Sequence, residues 1–389
     1  MSTEKVYETR GEVMELASRV TACRACEGGF AVALERTVFF PGGGGQAADG
    51  GELVCAATGA REPVTGLYED GDEVWHCVAH EFCPGTEVVC RIDADARRRR
   101  MQNHGGEHIV SGIVYRRYGF HNVGFHMGED DMTIDFDGVL DRTAFDSVER
   151  EANAAVTGNR AVRVSFPTPE ELAVLDYRSK KALAGRVRIV EIDGMDRCAC
   201  CAPHFEHTGC IGIIKILDFI HYKGGVRVHL LCGVDALEDY GRRYAATADI
   251  SARLSVPQAD VAGAVAELAA EAGRLRGECG ALRRQILTLR AGAIPATDEN
   301  ICLFEPLDGA DMRYFVNLCQ DKCGGFCALF SGDDEAGYRY ILASRSRDMR
   351  ELAPELNRAL NGRGGGSAQM IQGSVSATRR EIENYISGL

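Results

Sequence analysis

The feature that most constrains this chain is a run of apolar residues late in the sequence. Val261, Val265, Leu268, Ala272, Leu275, Cys279, Leu282, Ile286 and Leu289 follow one another in alternating steps of four and three. That spacing stacks their side chains in one seam along a helix, the pattern of a coiled coil. Gly292 and Pro295 end it, since glycine suits a helix end and proline cannot continue one. The seam suits pairing with a second chain or folding back on a neighbouring helix, and spacing alone does not choose between them. Residues 248–294 therefore read as a coiled-coil linker between two folded regions.

Ahead of the linker the text changes character once. Residues 1–94 read as short β-segments, at 31–40, 73–78 and 87–92, split by Gly-rich turns, which predicts a β-barrel-like module. Residues 95–247 read as an α+β domain, with helices at 97–118 and 143–156 and strands at 132–136, 161–166 and 186–192. A Cys/His-rich loop at 198–210 follows, and then a hairpin, 211–221 with 226–232, closed by Tyr222-Lys223-Gly224-Gly225. Beyond the linker, 295–389 alternates strand-like runs at 301–304, 313–318, 326–330 and 338–343 with helices at 350–360 and 377–386, a small α/β domain. The fold class expected for the whole is α+β.

Composition narrows the function classes. With 389 residues, 45% hydrophobic and 26% charged, the chain is an ordinary globular protein, not a collagen-like, disordered or membrane-spanning one. The charged opening, MSTEKVYETRGEVMEL, lacks a signal peptide's apolar stretch, so a cytoplasmic location is expected. In that setting sixteen cysteines read as reduced thiols, some of them metal ligands, more readily than as a disulfide framework. A net charge of −13 argues against indiscriminate binding of polyanions. A local patch can still hold RNA, and Arg97-Arg98-Arg99-Arg100 and the set Arg345, Arg347, Arg350, Arg358 and Arg363 are candidates beside the plain reading of solvated surface.

Two pairs of residues carry potential chemistry. His104 and His108 stand i, i+4 on an expected helix, so both imidazoles share one face about a turn apart. The string Cys200-Cys201-Ala202-Pro203-His204 offers a thiol and an imidazole in one loop, and together the four donors suit tetrahedral zinc. Glu107 directly precedes the second His, so the order is not that of a zinc protease. Cys198 competes with Cys200 as a ligand, whereas Cys23 with Cys26, and Cys319 with Cys323 and Cys327, read as packing. The run Pro41-Gly42-Gly43-Gly44-Gly45-Gln46 lets a backbone approach a ligand closely, or else forms a long turn, and it lacks the Lys of a phosphate-binding loop.

PGGGGQAADGG, then MQNHGGEHIVSG, then CCAPHFEHTGCIGIIKI resemble, in order and spacing, the signature of freestanding alanyl-tRNA editing proteins, the AlaX group. The same module occurs within alanyl-tRNA synthetase. GGGSAQMIQG, after the coiled coil, is similar to the C-terminal domain that this synthetase shares with DHH phosphoesterases, so the chain looks like the long AlaX form. The resemblance implies an ATP-independent, zinc-dependent hydrolase that removes serine, or glycine, from mischarged tRNA(Ala), with Zn2+ on the catalytic centre His104, His108, Cys200 and His204. It further implies that Gly43, Gly44 and Gln46 close over the aminoacyl end, with Thr208 a candidate polar contact, and that the C-terminal domain grips the tRNA or dimerises; the coiled coil is a second candidate for pairing two chains into a homodimer.

The chain departs from the family pattern in places. The family's Cys-Gly-Gly-Thr-His reads Cys200-Cys201-Ala202-Pro203-His204, its acidic residue in Thr-Gly-Glu-Ile-Gly is Cys210, and its serine-pocket polar residues are hard to match in His121-Asn122-Val123-Gly124-Phe125-His126. These changes bear on amino-acid specificity more than on the metal. Rival readings are an editing hydrolase for Ser-tRNA(Thr) and a non-catalytic tRNA-binding protein with structural zinc. A phosphoesterase fails for want of an Asp-His-His motif.

Overall fold

The computed structural model describes residues 2–128, 132–179 and 185–389, and the chain divides into two compact units, Met1–Asp249 and Ile250–Leu389. It is a mixed α+β protein with several sheets and, among the described residues, eight α-helices. These are α1 (Ala94–Tyr118), α2 (Arg142–Thr157), α3 (Pro169–Val174), α4 (Gly233–Leu254), α5 (Val261–Ala293), α6 (Gly309–Cys319), α7 (Met349–Ala359) and α8 (Arg379–Ser387). None is long and apolar enough to cross a membrane.

The first unit opens with a seven-stranded sheet in the order Arg61–Val64, Gly51–Cys55, Glu87–Ile92, Glu15–Cys26, Gly29–Leu34, Glu73–Val78, Gly66–Asp70. The long strand Glu15–Cys26 bends: its first residues pair with Glu87–Ile92, and from Val20 onward it pairs with Gly29–Leu34 across a register shift. The barrel expected from the sequence does not close. Its two edge strands are separated by Thr65 alone, and a strand cannot form a ladder with its own immediate continuation.

Helix α1 organises the rest of this unit. Asp93 caps it, its side chain accepting from the backbone of Asp95 and Ala96, and Gly119 ends it at φ 72°. Residues 103–114 are buried almost without a break, so α1 is packed on all sides. A four-stranded antiparallel sheet, Asn122–Met127, Met132–Phe136, Gly225–Cys232, Ile214–Tyr222, lies against it together with α2. Gly106 permits the contact, since a Cβ there would fall 2.2 Å from Cys232 Sγ. Met101, Ile109, Ile113, Phe136, Phe145 and Leu230 form the shared core.

Arg97 does not belong to a basic RNA-facing surface. It is wholly buried, paired with Asp49 and donating to the carbonyls of Gly11 and Val38, because α1 begins inside the protein against the glycine-rich segment. Arg99 pairs with Asp235 and Glu238, and Arg100 donates to Ala48 O.

In the second unit a five-stranded sheet runs in the order Ile301–Phe304, Cys327–Asp333, Gly337–Ala343, Met370–Val375, Gly362–Gly366. The strand expected at 313–318 is instead part of α6. Asp308 caps that helix, and Met312, Phe315, Val316 and Cys319 bury one helical face, a 3.6-residue period that outweighs the segment's local β preference. Most seam residues of α5 stand exposed, Leu282 by 58% and Leu289 by 75%, though Val261 at its start is buried, while Leu287 and Ala291 on another face join the core with Met312 and Phe315.

Candidate metal centre

Four side chains from distant parts of the sequence converge in the first unit. Helix α1 supplies His104 and His108, one turn apart, with ring centroids separated by 5.2 Å. Cys200 and His204 come from the loop after the strand Asp196–Ala199. That loop is tied down by Arg188, whose Nη1 donates to the carbonyls of Cys200 and Ala202 at 2.7 and 2.8 Å. Cys200 Sγ lies 3.5 Å from His104 Nε2 and 3.4 Å from His204 Nε2, and one ligand atom from each of the four falls within 4.8 Å of every other. Such a cluster could hold a metal ion.

The electrostatics suit that role. Burial alone raises the pKa of the Cys200 thiol, yet the imidazoles of His104 and His204 hold it well below its ordinary value. Burial lowers the pKa of His204 to about 3. His108 moves the other way, to about 10: burial opposes its charge, but bonds to Asp196 and Cys200 outweigh burial. A thiolate facing imidazoles is the donor set a borderline-soft divalent cation takes, releasing a proton as it binds.

The glycine-rich segment covers this cluster. Asp49 staples its base, accepting from Phe40 N at 2.7 Å and from Arg97. At its tip Gly43 and Gln46 exchange two backbone bonds of 3.0 Å, and Gly42 to Gly45 all take positive φ, which no larger residue adopts cheaply. Gly43 and Gly44 lie over Cys201, with space for a Cβ at 3.4 Å from its sulfur. Gln46, 3% exposed, accepts from His104 Nδ1 at 3.0 Å, while its amide nitrogen is buried with no hydrogen-bond partner among the described residues. An orphaned buried donor beside a cluster of metal-ligating groups is the mark of a site that receives an acceptor from outside.

The remaining expected residues are not among the four donors. Thr208 is buried, its hydroxyl donating to Ala155 O and accepting from Arg160 N, both at 2.8 Å. Cys210 is exposed and lies outside the cluster. Cys198 is buried and forms a second, overlapping group with His108 and Asp196. Several site residues escape a reading by spacing. Asp196 accepts from His108 Nδ1 at 2.8 Å, and the Phe125 ring packs tilted against the His104 ring with centroids 5.2 Å apart. Glu107 lies beside His108, 3.9 Å from its Nε2, and its Oε1 is held by Ser111 Oγ at 2.9 Å and by Asn122. Only strand alternation around 196–199 hints at Asp196, since 88 residues separate it from His108.

In sequence the chain is similar to aminoacyl-tRNA editing proteins. Residues 187–228 fit the family model described as the threonyl and alanyl tRNA synthetase second additional domain. The chain is 27% identical over 365 residues to the alanyl-tRNA editing protein Aarsd1-A of Xenopus laevis, covering 91% of this chain and 87% of that one. It is 25% identical over 401 residues to the alanyl-tRNA editing protein AlaX-L of Pyrococcus horikoshii, covering 97% and 96%. Against the alanine–tRNA ligase of Ignicoccus hospitalis it is 30% identical over 234 residues, 58% of this chain and 26% of the ligase. The resemblance to freestanding alanyl-tRNA editing proteins thus extends over most of the chain.

Proposed function

We propose that this protein is a cytoplasmic zinc-dependent trans-editing hydrolase, which deacylates tRNA(Ala) mischarged with serine and, as a second substrate, with glycine. The observation that carries the reading is the His104, His108, Cys200 and His204 cluster lying under a loop whose Gln46 amide is buried and, among the described residues, unpartnered. Names of relatives that span nine-tenths of the chain add the substrate class. In this reading 1–94 carries the covering loop, 95–247 the chemistry, and 248–294 with 295–389 contact tRNA or pair two chains.

His104, His108, Cys200 and His204 would hold the zinc, which would supply Lewis acidity beside an ester that is already activated. Gln46 Nε2 donates to the ester carbonyl as negative charge builds on its oxygen. Glu107, fixed by Ser111 and Asn122, offers a buried carboxylate to the α-ammonium of the aminoacyl group. Phe125 and the glycine loop keep bulk water from the ester. Hydrolysis breaks the bond between the carbonyl carbon and the terminal ribose oxygen; water provides the hydroxyl of the released amino acid and the proton of the freed ribose hydroxyl.

One observation favours a rival. The cluster offers four protein donors, enough to fill every position of a four-coordinate zinc, as a structural zinc in a non-catalytic tRNA-binding protein would require. Deacylation of Ser-tRNA(Ala), Gly-tRNA(Ala), Ala-tRNA(Ala) and Ser-tRNA(Thr), with and without a chelator, separates the readings. Chelator-sensitive loss of serine or glycine with alanine spared supports the proposal. Preference for Ser-tRNA(Thr) moves the substrate to threonine tRNA, and zinc content without hydrolysis identifies the structural site.

A further inference from the structure

His108 belongs to two overlapping donor groups, one with His104, Cys200 and His204, the other with Asp196 and Cys198. A divalent cation therefore has two places to go, and geometry at Asp196 separates them. We infer that Arg178 and Asp196 form a clamp that commits His108 to the first group, a positioning role that rests on the metal-centre reading above. Asp196 Oδ2 lies 2.8 Å from His108 Nδ1, so that nitrogen donates to the carboxylate and leaves Nε2 as the ring nitrogen available to a metal in the cluster. Arg178 grips the same carboxylate with two bonds, Nε to Oδ1 at 2.7 Å and Nη2 to Oδ2 at 2.8 Å. The side chains of His108, Asp196 and Arg178 are 2%, 1% and 8% exposed, so water cannot replace any of these bonds cheaply.

The clamp turns Asp196 from a ligand into a holder. To bind a metal itself, Asp196 must give up a guanidinium bond and release His108 Nδ1, which strands a buried cation and a buried N–H. Arg178 thus bars the second position, and Asp196 orients the imidazole for the first. Backbone geometry supports the arrangement. Gly112 on α1 lets the strand Asp196–Ala199 come close, since a Cβ there would lie 2.8 Å from Asp196 Cβ and 2.4 Å from Met195 O. Arg178 reaches the carboxylate from the segment that exchanges backbone bonds with Arg197 and Ala199.

Zinc affinity of the full chain, by competition with a chromophoric chelator, and the cobalt(II) absorption spectrum test the clamp without reference to hydrolysis. Asp196→Ala should weaken zinc binding about 10- to 100-fold, and Asp196→Asn, which keeps an oxygen for His108 Nδ1, should recover part of that loss. Arg178→Met should leave folding intact by circular dichroism but make the cobalt thiolate band sensitive to Cys198→Ser, a substitution without effect in the wild-type chain. Wild-type affinity and spectrum in both Asp196→Ala and Arg178→Met overturn the clamp while leaving the metal centre standing. If the variants do not fold, a wild-type cobalt spectrum altered by Cys198→Ser overturns it instead. A wild-type chain that binds neither zinc nor cobalt overturns the metal-centre reading and the clamp together.

Discussion

His104 is held by Gln46 on one edge and by the Phe125 ring on its face, so Gln46 has two tasks that a single substitution can separate. Gln46→Glu keeps an oxygen for His104 Nδ1 and removes the buried amide donor. If that donor meets the ester oxyanion, kcat on Ser-tRNA(Ala) should fall about 100-fold with zinc content unchanged. Unchanged kcat would leave Gln46 as a strut for His104. A second residue-scale prediction concerns His76, which lies far from this chemistry in sequence, buried between Thr37 Oγ1 and Val32 O. Burial lowers its pKa from 6.5 to about 4, with the Val32 bond opposing only in part. The folded chain therefore stays neutral there while the unfolded chain takes up a proton. Stability on the order of 3 kcal/mol is present above pH 6.5 and lost as pH falls to about 4. Urea midpoints between pH 7 and 4.5 should drop less in His76→Gln than in the wild type; parallel drops would assign the acid sensitivity to other groups.

Among the elements, α1 places two of the four cluster donors, and its position depends on how closely the sheet approaches it. Gly106→Ala would put a Cβ 2.2 Å from Cys232 Sγ, and the overpacking should cost about 1–3 kcal/mol in urea unfolding. Removing that sulfur should restore most of the loss, so Gly106→Ala with Cys232→Ala tests the contact as a cycle. Additive losses would show that α1 tolerates the methyl by other means. The same helix illustrates what a sequence reveals. The His104 and His108 spacing, the hairpin turn at Tyr222 and the exposed α5 seam are local patterns, and each is readable because one period or one turn specifies it. The strand expected at 313–318 failed because apolar residues at helical spacing also contain a β-rich string, and only the cap at Asp308 and the buried face distinguish them. Helix α4 lies outside the elements the sequence reading names, although Leu237, Tyr240 and Tyr244 stand at helical spacing, all three exposed. Glu107, Asn122, Arg178 and Asp196 owe their roles to long-range contacts, which no spacing rule reaches.

At the scale of the whole molecule, the open question of the α5 seam becomes a matter of area. Within its own unit the helix uses Leu287 and Ala291 against Met312 and Phe315, and Val265, Leu268, Leu275, Leu282, Ile286 and Leu289 remain exposed. Water around six large apolar side chains in one line is costly, and a second copy of the same seam would cover them with knobs-into-holes packing. A net charge of −13 opposes nonspecific association, and Arg274, paired with Glu271 and Glu278, offsets part of the acidic charge on the flank of the helix. Light scattering at micromolar concentration should therefore give twice the chain mass. Leu275→Glu with Leu282→Glu should return the mass of one chain without shifting the urea midpoint of either unit, because neither leucine is buried. A wild-type chain of single mass would leave the seam to tRNA or to another partner, and unchanged dimers in the double variant would move the contact to the C-terminal sheet.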